Sequence, residues 1–246
     1  MPIRAVLFDV GGPINTEVEH ERRVDAAIRT ALVAEGIVAS DDDYDDACAR
    51  AVANFAPDAY TAIIWHLTRN DAPISTRVYA AFRAAMHEWP AFELRDGIAE
   101  VIAWLHGRGL RLGLAANQPH ATLAVLDAHG VGQYFHHREV SGTHGFHKPD
   151  LRLFLRCCED LGVEPAECIM VGDRIDNDIA PARVLGMRTI LFRTGRHAAQ
   201  QSRSVDEVPD AEVRDVAGLR VALEGHARTR PVAARHGRRS NDREPG

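Results

Sequence analysis

Lysine is almost absent from this 246-residue chain: of 29 basic residues, Lys148 is the one Lys and the rest are Arg. Cysteine is scarce as well. The four residues Cys48, Cys157, Cys158 and Cys168 have a spacing that resembles neither a disulfide framework nor a zinc site, so a reducing cytoplasm is the expected compartment. Long apolar runs are missing: residues 101–105 fall far short of the roughly 20 needed for a membrane span. Residues 1–4 lead straight into a strand-like segment. Neither a membrane span nor a secretion signal is expected. Positive charge is not in excess either, since 29 Lys and Arg against 35 Asp and Glu give a formal charge of -6. Without a bulk basic field to recruit nucleic acid or anionic membrane, small molecules become the default partner.

What the chain does have is apolar material, 46% of its residues, enough for a sizeable core. At roughly 100 to 200 residues per domain, the length allows one domain or one domain with an insert. Residues 4–10 read as a buried parallel strand: the apolar run Ala5, Val6, Leu7, Phe8 stops at Asp9 and the turn residues Gly11, Gly12 and Pro13. The pattern recurs at 111–116, ending in Asn117, at 168–171, ending in Gly172 and Asp173, and at 188–192; residues 139–141 are a weaker strand candidate. Between these lie helical stretches. Ile98, Val101, Ile102 and Leu105 share one face, as do Leu151, Phe154, Leu155, Cys158 and Leu161, with Gly109, Gly130, Gly162 and Gly186 as helix stops. Alternation of this kind predicts an α/β fold with a doubly wound parallel sheet, whose ligands bind beyond the carboxyl ends of the strands.

Four Ala-rich helical segments, at 16–36, 40–53, 57–70 and 73–89, interrupt that alternation and predict an inserted all-helical unit over residues 16–91. The core would then comprise 1–15 and 92–224. Asp41, Asp42, Asp43, Asp45 and Asp46 mimic a cation site. Ser40 is a good N-cap, however, and acids in a first turn favour the helix dipole, so a solvated helix is the preferred reading. From about Gly225 the apolar pattern fades into an Arg-rich segment, and residues 225–246 are expected to be a disordered basic tail, with nucleic acid or an acidic partner as its minor alternative.

Asp9, Asn117, Lys148 and the pair Asp173 with Asp178 fall in order at or just beyond the carboxyl ends of the proposed strands. The ordered set, strand-Asp-x-x-Gly, strand-Asn, Lys-Pro-Asp opening a helix, and Gly-Asp-x-x-x-x-Asp, resembles the haloacid dehalogenase-like superfamily over roughly residues 3–194. The resemblance implies a Rossmann-like core with residues 16–91 as its helical cap. It also implies an Mg2+-dependent phosphatase of a small phosphorylated molecule, working through an aspartyl-phosphate on Asp9. Asp9, Asp173, Asp178 and the backbone carbonyl of Gly11 are then the expected metal ligands, and Asn117, Lys148 and the backbone at Gly12 the expected phosphate-binding groups. Chemistry supports these roles: a carboxylate nucleophile splits one hard displacement into two easier ones, and hard oxygen ligands suit magnesium. Lys148 supplies a compact positive charge that offsets repulsion between carboxylate and phosphate.

Two positions depart from the family pattern. Gly11 stands where the phosphatases carry a second Asp, the general acid and base, and Ala116 where a Ser or Thr binds a phosphoryl oxygen. Glu17, Glu19 and His20 follow the first loop as possible surrogate acids, although an exposed first helical turn is the preferred reading for all three. Dehalogenation at carbon, or a relic that binds a phosphate ligand without turnover, are the alternative functions. Retention of both Asp173 and Asp178 favours phosphate. A zinc site among His136, His137, His144 and His147 is disfavoured because no Cys or acid accompanies them at a usable spacing. Trp65, His66, Arg69, His87 and Trp89 either shape a substrate pocket or belong to the core of the helical insert.

Overall fold

Parallel pairing of four apolar segments and one short edge strand builds a single five-stranded sheet in the order β2-β1-β3-β4-β5. The strands are β1 (Ala5–Phe8), β2 (Arg111–Leu114), β3 (Cys168–Gly172), β4 (Arg188–Phe192) and β5 (Ala211–Val213). The computed structural model describes residues 1–86 and 92–227. Four helices follow β1: α1 (Val18–Ala34), α2 (Asp41–Ala53), α3 (Ala59–Leu67) and α4 (Ala72–Ala85). The remainder wrap the sheet: α5 (Ile98–Gly107), α6 (Thr122–Ala128), α7 (Ser141–His144), α8 (Leu151–Leu161), α9 (Ala180–Val184) and α10 (Val216–Ala227).

The central strands β1 and β3 are unbroken apolar runs because both sheet faces are covered, and their side chains alternate between the two faces. Val6 and Phe8 of β1 join Ile169 and Val171 of β3 in a core shared with Ile102 of α5, Leu126 of α6 and Leu219 of α10. Ala5 and Leu7 join Cys168 and Met170 on the other face, against Leu153, Phe154, Cys157 and Leu161 of α8. The α1 to α4 layer keeps a separate core around Ile28, Leu32, Ile63, Ile64 and Phe82. Ser40 caps α2 in a reciprocal capping box with Asp43, as the acidic first turn suggested.

Register decides where the chemistry can gather. Phe8 pairs with Leu114 on one side and Val171 on the other, so Asp9 emerges level with the ends of β2 and β3. Chain order reverses between β1 and β3, and in open α/β sheets such a switch point is where ligands bind.

Three expectations need correction. Residues 139–141 form no strand: the chain bridges the sheet just before them, His137 to Gly113, and at Ser141 turns into α7, the Ser141 amide donating to the Ala116 carbonyl. β5 went unforeseen because three residues are too few to show a period. The basic tail does not begin at Gly225, since α10 continues to Ala227. Residues 228–246, with His87 and Trp89, lie outside the described residues. No helix among the described residues is long and apolar enough to cross a membrane.

Phe154 is fully buried between α8 and the sheet. Replacement by Ala removes its ring contacts and leaves a cavity, and Phe154→Ala is expected to lower the unfolding free energy by about 3–5 kcal/mol. Denaturant titration reads this directly; a loss below about 1 kcal/mol would mean that this face is loosely packed.

Candidate active site

Asp9 sits one residue beyond β1, its amide still donating to the Val171 carbonyl at 2.9 Å. Its Oδ1 accepts from the Val10 amide at 2.8 Å and lies 2.9 Å from Lys148 Nζ. Among the described residues nothing donates to Asp9 Oδ2. Lys148 Nζ also donates to Asp178 Oδ1 at 2.6 Å, while Asp178 Oδ2 accepts from the Arg174 amide at 3.0 Å. The Asp173 carboxylate has no hydrogen-bond donor among the described residues. Oxygens of Asp9, Asp173 and Asp178 nevertheless lie within 4.8 Å of one another, and all three residues are buried.

Two glycines permit this crowding. Gly12 has φ +78, and a Cβ there would lie 2.7 Å from Asp173 Cβ; one at Gly172 would lie 2.3 Å from Asp178 Cγ. Neither loop could approach the other with a side chain in place. Asn117 spends its amide on the opposite loop: Oδ1 accepts from the Lys148 amide at 2.7 Å, and Nδ2 donates to the Lys148 carbonyl at 3.1 Å. This clamp fixes the base of the lysine and leaves one Nδ2 hydrogen for a ligand. Ala116, fully buried, offers no donor.

Charge in the site is unbalanced. Burial first, offset by Lys148 and reinforced by Asp178, pushes Asp9 up to about 6. Burial again, with the negative charges of Asp9, Asp178 and Glu17, raises Asp173 well above the usual carboxylate range. Burial alone would lower Lys148, but Asp178 and Asp9 overcome it and hold the ammonium at about 12.

Glu17 departs from the exposed helical turn expected for it. It caps α1 in a left-handed conformation, φ 60, and its carboxylate reaches back over Gly11 into the same cavity. Burial and the charge of Asp9 push it up to about 7. Glu19 instead pairs on the surface with Arg22 and Arg23, while His20 is half-buried with an unpartnered Nδ1.

The cavity, about 310 Å³, is walled on the sheet side by Asp9, Glu17, Asn117, Lys148 and Asp173, and on the helical side by Asp58 and Tyr60. Arg174, Arg196 and His197 complete its rim. These three escaped the sequence reading although Arg196 and His197 follow β4, where the carboxyl-end rule would have pointed. A larger groove of about 750 Å³ beside Trp65 and Tyr79 is apolar apart from Asp58 and a few hydroxyls; of the residues singled out from the sequence it holds Trp65 and none of the expected catalytic, phosphate-binding or metal residues. The histidine segment serves structure: His136 Nδ1 accepts from the Leu112 amide, and His144 Nδ1 from the Phe146 amide. Two acids gather with His137: Glu139 from the same segment, and Asp160, 2.9 Å from His137 Nδ1, which comes from α8, too far along the chain to be foreseen.

The family model of haloacid dehalogenase-like hydrolases matches residues 3–186. The chain belongs to this family. It is 29% identical over 223 residues to a glyceraldehyde 3-phosphate phosphatase of Methanopyrus kandleri, a match spanning 86% of this chain and 93% of the relative. The fold of this hydrolase is also that of the HAD phosphatase from Thermococcus onnurineus, with a TM-score of 0.58, 23% identity, and coverage of 91% of this chain and 99% of that one. The 2-haloacid dehalogenase of Pseudomonas syringae pv. Tomato DC3000 shares it too, with a TM-score of 0.56, 20% identity and the same coverage.

A carboxyl whose folded pKa is raised contributes its full stability at low pH and loses it as pH climbs through the raised value. Asp173 is such a group in this hydrolase. In chelator, Asp173→Asn is expected to melt above wild type at high pH, where the acid is ionised, with the difference shrinking as pH falls and the acid takes up its proton. Equal melting temperatures across that range would show that the cluster is not under charge repulsion.

Proposed function

We propose that this family member is a magnesium-dependent phosphatase of a small phosphorylated molecule in the cytoplasm, with Asp9 as its nucleophile. The observation that carries the reading is the division of labour within Asp9. Oδ1 is held by the Val10 amide and Lys148, which leaves Oδ2 without a donor among the described residues at the cavity wall. Attack by Oδ2 on phosphorus forms an aspartyl-phosphate and releases the alcohol, and water then returns the carboxylate and frees phosphate. Four unpaired thiols agree with a reducing compartment.

Magnesium fits the residues present. Three buried carboxylates face a single ammonium, and Asp173 offers oxygens that no donor among the described residues satisfies. Asp9, Asp173 and Asp178 would hold the ion, together with the Gly11 carbonyl. When bound, it neutralises charge that otherwise keeps a phosphate away from a carboxylate. Lys148 contributes the remaining positive charge, Asn117 holds Lys148 in place and offers its spare hydrogen to phosphate, and the turn at Gly12 brings backbone to the phosphate. The four helices between β1 and α5 act as a cap, their Asp58 and Tyr60 closing the cavity over Asp9. Dehalogenation is the weaker reading, because a haloacid needs no cation and would leave Asp173 as a buried charge without a partner.

Asp9→Asn is expected to lower turnover of glyceraldehyde 3-phosphate and para-nitrophenyl phosphate by about 10,000-fold or more, the scale on which nucleophile removal acts. Magnesium should raise the melting temperature of wild type at neutral pH, and Asp173→Asn should abolish that rise. Full turnover in excess chelator would reject the magnesium-dependent mechanism, and halide release without magnesium would replace this reading with the dehalogenase one.

A further inference from the structure

We propose that Glu17 is the general acid and base of this site, a role resting on the aspartyl-phosphate reading above. Expulsion of an alkoxide needs a proton at the leaving oxygen, and the second step needs that proton taken from water; both favour a positioned acid beside the nucleophile. Gly11, two residues after Asp9, has no side chain to do it. Its missing side chain leaves a space, and that space is filled: a Cβ built on Gly11 would lie 2.6 Å from Glu17 Oε1 and 3.0 Å from Oε2. A carboxylate therefore stands where a side chain at position 11 would project, delivered from six residues further along the chain.

The backbone is arranged for that delivery. Glu17 is a non-glycine residue at φ 60, a conformation that costs about 1–2 kcal/mol and gathers at functional sites. The preceding residues are pinned from outside the loop. Asn15 Oδ1 accepts from the Glu93 amide at 2.8 Å, the Thr16 amide donates to the Glu93 carbonyl at 2.9 Å, and Thr16 Oγ1 donates to Glu93 Oε2 at 2.7 Å. The carboxylate itself has no hydrogen-bond partner among the described residues and faces the cavity. A side chain serving only to cap or to pair would be bonded; this one is free to exchange a proton with a ligand.

The chemistry balances. Asp9 Oδ2 forms the bond to phosphorus as the bond to the leaving oxygen breaks; that oxygen keeps the electron pair and takes the proton of the Glu17 carboxyl. In the second step the Glu17 carboxylate takes one proton from water while the water oxygen attacks phosphorus. The acyl-phosphate bond breaks, its electron pair returns to Asp9, and Glu17 is again protonated.

The test compares an alkyl ester, glyceraldehyde 3-phosphate, with an activated aryl ester, para-nitrophenyl phosphate, by rapid-quench kinetics in magnesium. Glu17→Gln keeps the shape and removes proton transfer, so kcat for the alkyl ester is expected to fall about 100-fold to 10,000-fold. The aryl ester, which needs no acid to leave, should still give a stoichiometric burst of para-nitrophenolate, followed by slow turnover for want of the base. Magnesium-induced stabilisation should be unchanged in this variant, which separates proton transfer from metal holding. Gly11→Asp alone should lower activity, because the new side chain displaces Glu17; added to Glu17→Ala, which vacates the space, it should restore alkyl ester turnover. Unchanged kcat in Glu17→Gln, or equal losses on both esters with no burst, would overturn the assignment of Glu17 alone. Undiminished turnover by Asp9→Asn, or wild-type protein inert toward both esters, would instead overturn the phosphatase reading and the role of Glu17 with it.

Discussion

The ammonium of Lys148 lies buried between Asp9, at 2.9 Å, and Asp178, at 2.6 Å, and every loop of the site is placed with respect to it. One ion pair at about 3 Å gains roughly 6 kcal/mol at an effective dielectric of about 20. That is comparable with the several kcal/mol each ion loses on leaving water. Lys148 has two such partners and is over-compensated, so it keeps its proton far above neutrality. Asp9 shares the same lysine with Asp178, and Asp173 has no cationic partner in contact among the described residues, so the burial that raises both carboxylates is under-compensated. The asymmetry gives the site its chemical character: a fixed positive centre, a half-neutralised carboxylate at Asp9 and another, Asp173, in want of a cation.

An arginine would not serve between those two oxygens. Its planar fork presents donors over a wider span, whereas an ammonium is a point charge that two carboxylates from different loops can approach from different sides. This gives a physical reason for one lysine to stand in a chain that otherwise uses arginine. The lysine is useful only if its backbone is fixed, which the two hydrogen bonds from the Asn117 amide accomplish. The carboxylates in turn gather around it only because Gly12 and Gly172 leave room for Asp173 and Asp178.

The sheet was legible in the sequence because strands buried on both faces are unbroken apolar runs, and Asp9, Asn117 and Asp173 were legible because each ends such a run. Lys148 stood out by composition. Glu17 was weighed and set aside: acids in a first helical turn are usually solvated, and nothing local tells that the chain turns left-handed at that residue. Its place depends on Asn15 and Thr16 meeting Glu93, contacts across 78 and 77 residues that no period or motif encodes. Asp160 beside His137 was hidden for the same reason. Patterns of period two and 3.6 report which face is buried; they carry no information about which distant loop supplies a polar partner.

The sheet and the helical layer each own a core, and what joins them is of a different kind. Among the described residues their shared apolar cluster is small: Phe55 against Ile175, Ile179 and Leu191. Beside it stands a polar set centred on Arg196, which reaches from the loop after β4 to Asp25 at 2.7 Å and Cys48 at 2.9 Å and lies over the Tyr60 ring, while its amide donates to Glu21 Oε1 at 2.9 Å. Arg174 adds a bond to the Ala56 carbonyl at 3.3 Å. Separating the layers therefore exposes little apolar surface, and the polar groups freed are rehydrated, whereas opening either core would forfeit its packing. The cheapest deformation of this molecule is thus at the joint, and the joint is where the cavity lies. Asp9 is buried, and separation at the joint would open the cavity beside it at the expense of a few polar tethers, while the residues that hold Lys148 and the carboxylates together, all on the sheet side, need not move.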